Sequence, residues 1–294
     1  MTNIIRSLKQ ISKEYNVLFC DIWGCIHNGK IAFPHALRAL SDFRRTGGYV
    51  MLMTNAPRPK AAVENHLKKM GITNLFFDDI TTSGDAAQVS MFSGTVGYNV
   101  FHLGPNRDDS FFTDIPKGLN FDNKIVRVPL KESEGIVCTG LFDDTRETPK
   151  DYVNIIAYGV NKGLKLLCVN PDIFVDVGLQ RVWCAGGIAE AFSKAGGETI
   201  YCGKPHKDIY KLAYSKIKQF DPKGKKKILC IGDGINTDIL GGHNEKLDTL
   251  FVCGGLSSEK TGITENNDEP DPQKLYELTL EKNLHPTASI GFLQ

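Results

Sequence analysis

Val17-Leu18-Phe19-Cys20-Asp21-Ile22-Trp23-Gly24-Cys25 is the stretch that decides how this chain of 294 residues is read. Four apolar residues suited to a strand run into a carboxylate, and a glycine follows shortly after. A short apolar run of this kind predicts a buried strand of a parallel sheet. In open α/β sheets, ligands and chemistry sit just beyond the carboxyl ends of such strands. Asp21 therefore stands where a reactive carboxylate would be needed, although Asp after a strand is also a common turn or cap residue.

The same alternation continues outward from this stretch. Pro34–Arg44 carries Leu37, Leu40 and Phe43 at helical spacing, with proline suited to the first turn. Tyr49–Met53 reads as a second buried strand stopping at Thr54-Asn55, and Val63, Leu67 and Met70 mark a second helix closed by Gly71. Asp79–Thr82 is a further strand, followed by a helix through Phe92. From about Gly94 a second set begins, with strands at Val96–Leu103, Gly135–Thr139 and Leu164–Val169 and a helix at Pro149–Tyr158; Arg107 to Asn123 reads as loop or edge. The first pattern then resumes with a helix at Gly186–Ala195, a short strand at Thr199–Cys202, a helix at Lys207–Gln219, and strands at Lys227–Ile231 and Thr249–Cys253. Ser257 to Asp271 reads as an acidic surface loop, Pro272–Lys282 as a last helix and Ala288–Phe292 as an edge strand. The expected fold is α/β: a Rossmann-like parallel-sheet core over residues 1–85 plus 183–294, with an inserted α/β cap domain over 86–182.

Composition narrows the classes of partner. The chain is 41% hydrophobic and 23% charged, which suits a globular protein with a sizeable core. A net charge of +1 offers no long-range field for nucleic acid or an anionic membrane. No apolar run is long enough to span a bilayer, and Met1–Lys13 lacks the apolar centre of a signal peptide. The eight cysteines contain no Cys-x-x-Cys pair, and several lie inside apolar strand-like runs, so they are expected as buried reduced thiols of a cytoplasmic protein.

Three strand ends carry polar groups together: Asp21, Thr54-Asn55 and Asp233, the last followed by Asp238. Gly203-Lys204-Pro205 adds a lysine just after a strand, which could equally be a solvated turn residue. As a set these residues suit phosphate chemistry. Two carboxylates at neighbouring strand ends can hold a hard cation such as Mg²⁺, while a Thr hydroxyl and a lysine can hold phosphoryl oxygens. Metal and lysine together make a carboxylate a usable nucleophile toward phosphorus.

In this order the motifs resemble those of haloacid dehalogenase superfamily phosphatases, specifically the class IIA (NagD-like) branch. Asp21 matches the nucleophile of motif I, Thr54-Asn55 the phosphate-binding residues of motif II, Lys204 motif III, and Asp233 and Asp238 motif IV. Asn170-Pro171-Asp172 and Ala185-Gly186-Gly187 fit as well, and the insertion lies where this branch carries its cap. The resemblance implies catalysis by Asp21, Thr54, Lys204 and Asp238, and substrate binding by Thr54, Asn55 and Lys204. It implies Mg²⁺ held by Asp21, the backbone oxygen of Trp23 and Asp233, and a small phosphorylated metabolite as substrate; a homodimer is compatible with it.

The pattern departs from the family at Trp23. Phosphatases of this group usually carry Asp-x-Asp in motif I, the second Asp protonating the leaving alkoxide and later activating water; an indole can do neither. Proton transfer typically contributes about 10²–10⁴-fold, so turnover of alkyl phosphates is expected to be weakened. His27, His206, Asp172 and Asp176 are candidates to replace the missing acid, Arg107 and Arg146 are candidate specificity residues, and Cys25 reads as packing. Asp108-Asp109 and Asp143-Asp144 read as solvated loop charges. Three functions follow: a Mg²⁺-dependent phosphohydrolase using a phospho-aspartyl intermediate, a phosphate-binding or regulatory protein with little turnover, or a different enzyme on the same scaffold whose substrate supplies the proton or whose leaving group needs none.

Overall fold

The structure is a computed structural model and describes residues 2–115, 124–178, 180–224, 226–264 and 268–294. Along the chain, the strands begin with β1 (Asn3–Ile4), β2 (Val17–Asp21), β3 (Tyr49–Thr54) and β4 (Asp79–Thr82). Next come β5 (Asn99–Leu103), β6 (Val126–Arg127), β7 (Gly135–Cys138) and β8 (Lys165–Cys168). A hairpin of β9 (Phe174–Val177) and β10 (Gln180–Trp183) precedes β11 (Thr199–Tyr201), β12 (Ile228–Gly232), β13 (Asp248–Val252) and β14 (Ala288–Ile290). Seven strands form one parallel sheet in the order β1-β14-β13-β12-β2-β3-β4, and five form a second parallel sheet in the order β11-β8-β7-β5-β6.

The central strands of the two parallel sheets are apolar along their length because both faces are covered. In β2, Leu18 and Cys20 face the helices Pro34–Arg45 and Lys60–Lys69, while Val17 and Phe19 face the helix Lys207–Ile217. β3 divides likewise, Val50 and Leu52 to one side and Met51 and Met53 to the other. This is the two-residue period of a strand acting on a sequence with no polar face to spare. The second sheet repeats the scheme: Ile136, Cys138, Leu166 and Cys168 pack under helices Val153–Asn161 and Ala185–Lys194, whereas Val137, Leu167 and Val169 meet helix Ser83–Phe92.

Several sequence expectations change here. The helix near 186–195 and the strand near 199–202 were expected in the core pattern, but β11 pairs with β8 and Ala185, Ile188, Ala189 and Phe192 pack beneath the five-stranded sheet. Sequence periodicity identifies a helix or strand but carries no label for the sheet it joins. The last strand is no edge: β14 lies between β13 and β1, which occupies the edge itself. The hairpin β9–β10 was not anticipated, since residues 174–183 mix charged and apolar types without a clean alternation. Within the expected 257–271 loop, Ser258–Thr261 is helical with Thr261 buried; residues 265–267, like 116–123 of the 107–123 loop, lie outside the described residues. All eight cysteines are buried and free. No helix among the described residues is long and apolar enough to cross a membrane.

Leu52 is fully buried between β3 and the helices above it. Leu52→Ala should destabilise the protein by about 2–5 kcal/mol through lost transfer energy and the cavity left behind, read as a lowered midpoint in thermal or denaturant unfolding.

Candidate active site

Asp21 is the last residue of β2, Thr54 the last of β3, and Asp233 follows the end of β12. The register places Asp21 opposite Met53, and Cys20 opposite Ile231, so the three ends emerge side by side. Lys204 comes from outside this sheet, on the segment that leaves β11 and enters helix Lys207–Ile217. Its ammonium donates to Asp21 Oδ1, to Asp238 Oδ1 at 2.6 Å and to the Met53 carbonyl at 3.2 Å. All three charged side chains are buried. Asn55 closes the constellation: its Oδ1 accepts the Lys204 backbone N–H at 2.7 Å, and its amide nitrogen donates to the Lys204 carbonyl at 3.1 Å and to Asp172 Oδ1 at 2.9 Å.

Electrostatics here are dominated by excess negative charge. Burial alone would lower the Lys204 pKa, but Asp21, Asp238 and Asp172 outweigh it and hold the ammonium protonated. Burial raises Asp21, with Lys204 pulling the other way and Asp238 and Asp233 adding to the rise. Burial and Asp238 raise Asp233 to about 7. Several carboxylates thus face a single ammonium, a balance that a divalent cation would complete.

The donor set fits such a cation. Oxygens of Asp21 and Asp233 and the sulfur of Cys25 lie within 4.8 Å of one another. The space around Asp233 is kept open by glycine: a Cβ on Gly24 or Gly255 would stand about 2 Å from Asp233 Oδ2. Gly24 also has φ +76, which disfavours any side chain. Cys25 packs in the core, as read from the sequence, and also stands beside both carboxylates. No spacing signal in the sequence marks that proximity.

A slot lined by Asp21, Thr54, Asn55, Lys204, Asp233 and Asp238 adjoins a cavity of about 420 Å³ enclosed by residues from both sheets. The walls of the cavity include Trp23, Val63, Leu67, Leu141, Val182 and Trp183, with Arg58 and Arg107 among them. Each arginine is matched: Arg58 bonds Asp108 at 2.9 Å, and Arg107 bonds Asp144. Asp108 is buried and Asp144 lines the cavity, so neither is the solvated charge that a loop position suggested. Sequence alone could not reveal their arginine partners, which lie 50 and 37 residues away.

The other candidates separate clearly. His206 stands at the N-cap position of the helix Lys207–Ile217 and its ring stacks on Tyr201, outside both spaces. Arg146 is exposed beside Asp143, and the Asp176 carboxylate pairs with Arg181. His27 lines the cavity but not the slot; its Nδ1 accepts the Gly29 N–H at 2.9 Å and its ring meets Trp23 edge-on. Trp23 itself is committed to structure: its indole N–H donates to the Asp176 carbonyl on the hairpin at 2.7 Å, and the Gly178 N–H donates to the Asn28 carbonyl at 3.0 Å.

Burial, with His66 next, lowers the His27 pKa from 6.5 to about 4. In the unfolded chain the imidazole gains its proton near pH 6.5, whereas in the folded protein it stays neutral until about pH 4. Its contribution to stability is therefore present above pH 6.5 and is lost as pH falls toward 4. Denaturant unfolding should show wild type losing about 2 kcal/mol more than His27→Asn between pH 7 and pH 5. Equal losses in the two proteins would refute a neutral buried His27.

Comparison with known proteins places these features in context. A family model described as haloacid dehalogenase-like hydrolase matches residues 18–115, and one described as HAD-hydrolase-like matches residues 201–276. The ribonucleotide monophosphatase NagD of Escherichia coli K12 is 24% identical over 248 residues, covering 82% of this chain and 88% of that protein. The acid sugar phosphatase of Staphylococcus saprophyticus is 23% identical, covering 84% and 90%. A crystal structure of a hydrolase of the haloacid dehalogenase-like family from Brucella suis 1330 superposes with a TM-score of 0.84 at 33% identity, covering 99% of this chain and 100% of that one.

Proposed function

Because this chain belongs to the haloacid dehalogenase-like hydrolase family, we propose that it is a Mg²⁺-dependent phosphatase acting on a small phosphorylated metabolite through a phospho-aspartyl intermediate on Asp21. The observation that carries this reading is the Lys204 ammonium, bonded at once to Asp21 and Asp238 at the floor of a slot walled by Thr54 and Asn55. The matched curated proteins are named as phosphatases of ribonucleotides and acid sugars, which supports the same reaction class.

In this reading Asp21 attacks phosphorus, and Lys204 neutralises the charge that carboxylate and phosphoryl oxygens share. Asp238 keeps the lysine charged and fixed, while Thr54 and Asn55 hold the phosphoryl group. Asp233 and Asp21, with the backbone oxygen of Trp23, would hold the cation; the Cys25 thiol beside them, kept protonated by burial, is no ligand for a hard ion. When bound, Mg²⁺ supplies charge screening between nucleophile and phosphate. The structure of a glycerol phosphate phosphatase from Mycobacterium tuberculosis with magnesium has the same fold, with a TM-score of 0.61 at 20% identity, though that likeness speaks only to fold. The domain division expected from the sequence shifts in this reading: the cap extends to β11 and the core resumes at Lys204.

Trp23 favours a second reading, a phosphate-binding protein with little turnover, because the usual acid of motif I is absent. Free phosphate measured over a panel of phosphate monoesters separates the two: binding of inorganic phosphate at millimolar or better without release would establish the second.

Asp21→Asn is nearly isosteric and should fold normally while losing at least about 10³-fold in turnover, as for removal of a nucleophile. Near-normal phosphate release from the variant would eliminate the phospho-aspartyl mechanism. Chelation with EDTA should abolish release from the wild type and added Mg²⁺ should restore it; turnover undiminished by chelation would rule out the metal assignment.

A further inference from the structure

The bond that breaks in a phosphate ester must lie where the slot meets the larger cavity, with phosphorus toward Asp21 and Lys204 and the alcohol in the wider space. Among the described residues, Trp23, Thr54, Asp172 and Val175 line both. Valine has nothing to exchange. The indole N–H of Trp23 is donated to the Asp176 carbonyl, and the Thr54 oxygen accepts the Ala56 N–H at 3.1 Å. Neither group ionises near neutral pH. We propose that Asp172 is the general acid and base of this protein, taking over the proton transfer that position 23 cannot perform. The inference rests on the phosphatase reading and names the residue that completes it.

Asp172 is built to stay in place. It lies between β8 and β9, with its backbone N–H on Asn170 Oδ1 at 3.0 Å and its carbonyl accepting the Gly186 N–H at 3.1 Å. Asn55, itself clasped by the Lys204 backbone, grips Oδ1, while no described residue hydrogen bonds Oδ2. Among the charged and titratable groups around it, Lys204 lowers its pKa and Asp238 raises it, with Asp233 and the Cys184 thiol also within electrostatic reach. Removal from bulk water exceeds these effects and lifts the carboxyl to about 6, so both protonation states are accessible near neutrality.

The two steps balance. A carboxylate oxygen of Asp21 bonds to phosphorus as the ester P–O bond breaks; the electron pair stays on the leaving oxygen, which takes the proton of Asp172. Water then bonds to phosphorus, giving its proton to the Asp172 carboxylate, and the Asp21–phosphorus bond breaks with its electron pair returning to Asp21. The net reaction is ester plus water to alcohol plus phosphate, with Asp172 protonated again.

Asp172→Asn tests this, since the amide keeps an oxygen for Asn55 and removes the proton. With butyl phosphate, kcat/KM should fall about 10²–10⁴-fold, because the basic alkoxide leaves without a proton. With 4-nitrophenyl phosphate, kcat/KM should change by only a few fold, since that leaving group departs unaided. Steady-state kcat should nevertheless drop, with a burst of one nitrophenolate per enzyme, because the phospho-enzyme accumulates when no base activates water. In the wild type, kcat/KM for butyl phosphate should fall above about pH 6 while that for 4-nitrophenyl phosphate does not, a readout that needs no variant. An equal loss on both substrates without a burst, or the same pH profile for both in the wild type, would show that Asp172 only shapes the site. Wild type that releases phosphate from neither ester would overturn the parent reading as well.

Discussion

Everything at this site depends on one buried ammonium. Lys204 leaves the five-stranded sheet and ends against carboxylates carried by the seven-stranded one, so a single side chain joins two layers built from different parts of the sequence. Taking such charges out of water is costly, and the cost is offset only when every partner is present; truncating one member of a buried pair typically costs about 3–5 kcal/mol. Lys204 also gives its backbone N–H and carbonyl to Asn55, which places the end of β3 in the same network. Position, protonation and connection between layers are therefore set by the same contacts. A change at any one of them is felt by the others.

That dependence explains which parts were legible in the sequence. Asp21, Thr54, Asn55 and Asp233 each follow an apolar run and Lys204 sits between residues with special backbone habits, which are local signals, whereas Asp238 was marked only by its place after Asp233. The parallel core was legible for the same reason, since strands buried on both faces announce themselves as unbroken apolar stretches. What the sequence withheld was partnership across distance. β11 is as short and apolar as a core strand, yet its hydrogen bonds go to β8. Asp108 and Asp144 look like loop acids until Arg58 and Arg107 are brought against them.

The cavity above the site has an uneven character that follows from these pairings. Both arginines that reach it are already matched by carboxylates, so their charge is largely cancelled before any ligand enters. What remains along the walls is mostly aliphatic and aromatic, with Trp23 and Trp183 among the rings. Strong charge is concentrated in the slot and muted in the chamber. A group that enters the chamber therefore meets mostly apolar surface of little net charge, and gains from leaving water to the extent that it is itself apolar.

Trp23 ties together parts of the chain that lie far apart in sequence. Its indole reaches across 153 residues to hold the hairpin at Asp176, and a Cβ on Gly29 would stand 2.4 Å from its ring. An aspartate placed there alone would strand the hairpin carbonyl and open a void over Gly29 that nothing nearby fills. Positions 23, 29 and the hairpin thus form one physically coupled unit. A substitution at any one of them therefore changes what a substitution at the others costs, and their effects on stability are expected to be non-additive.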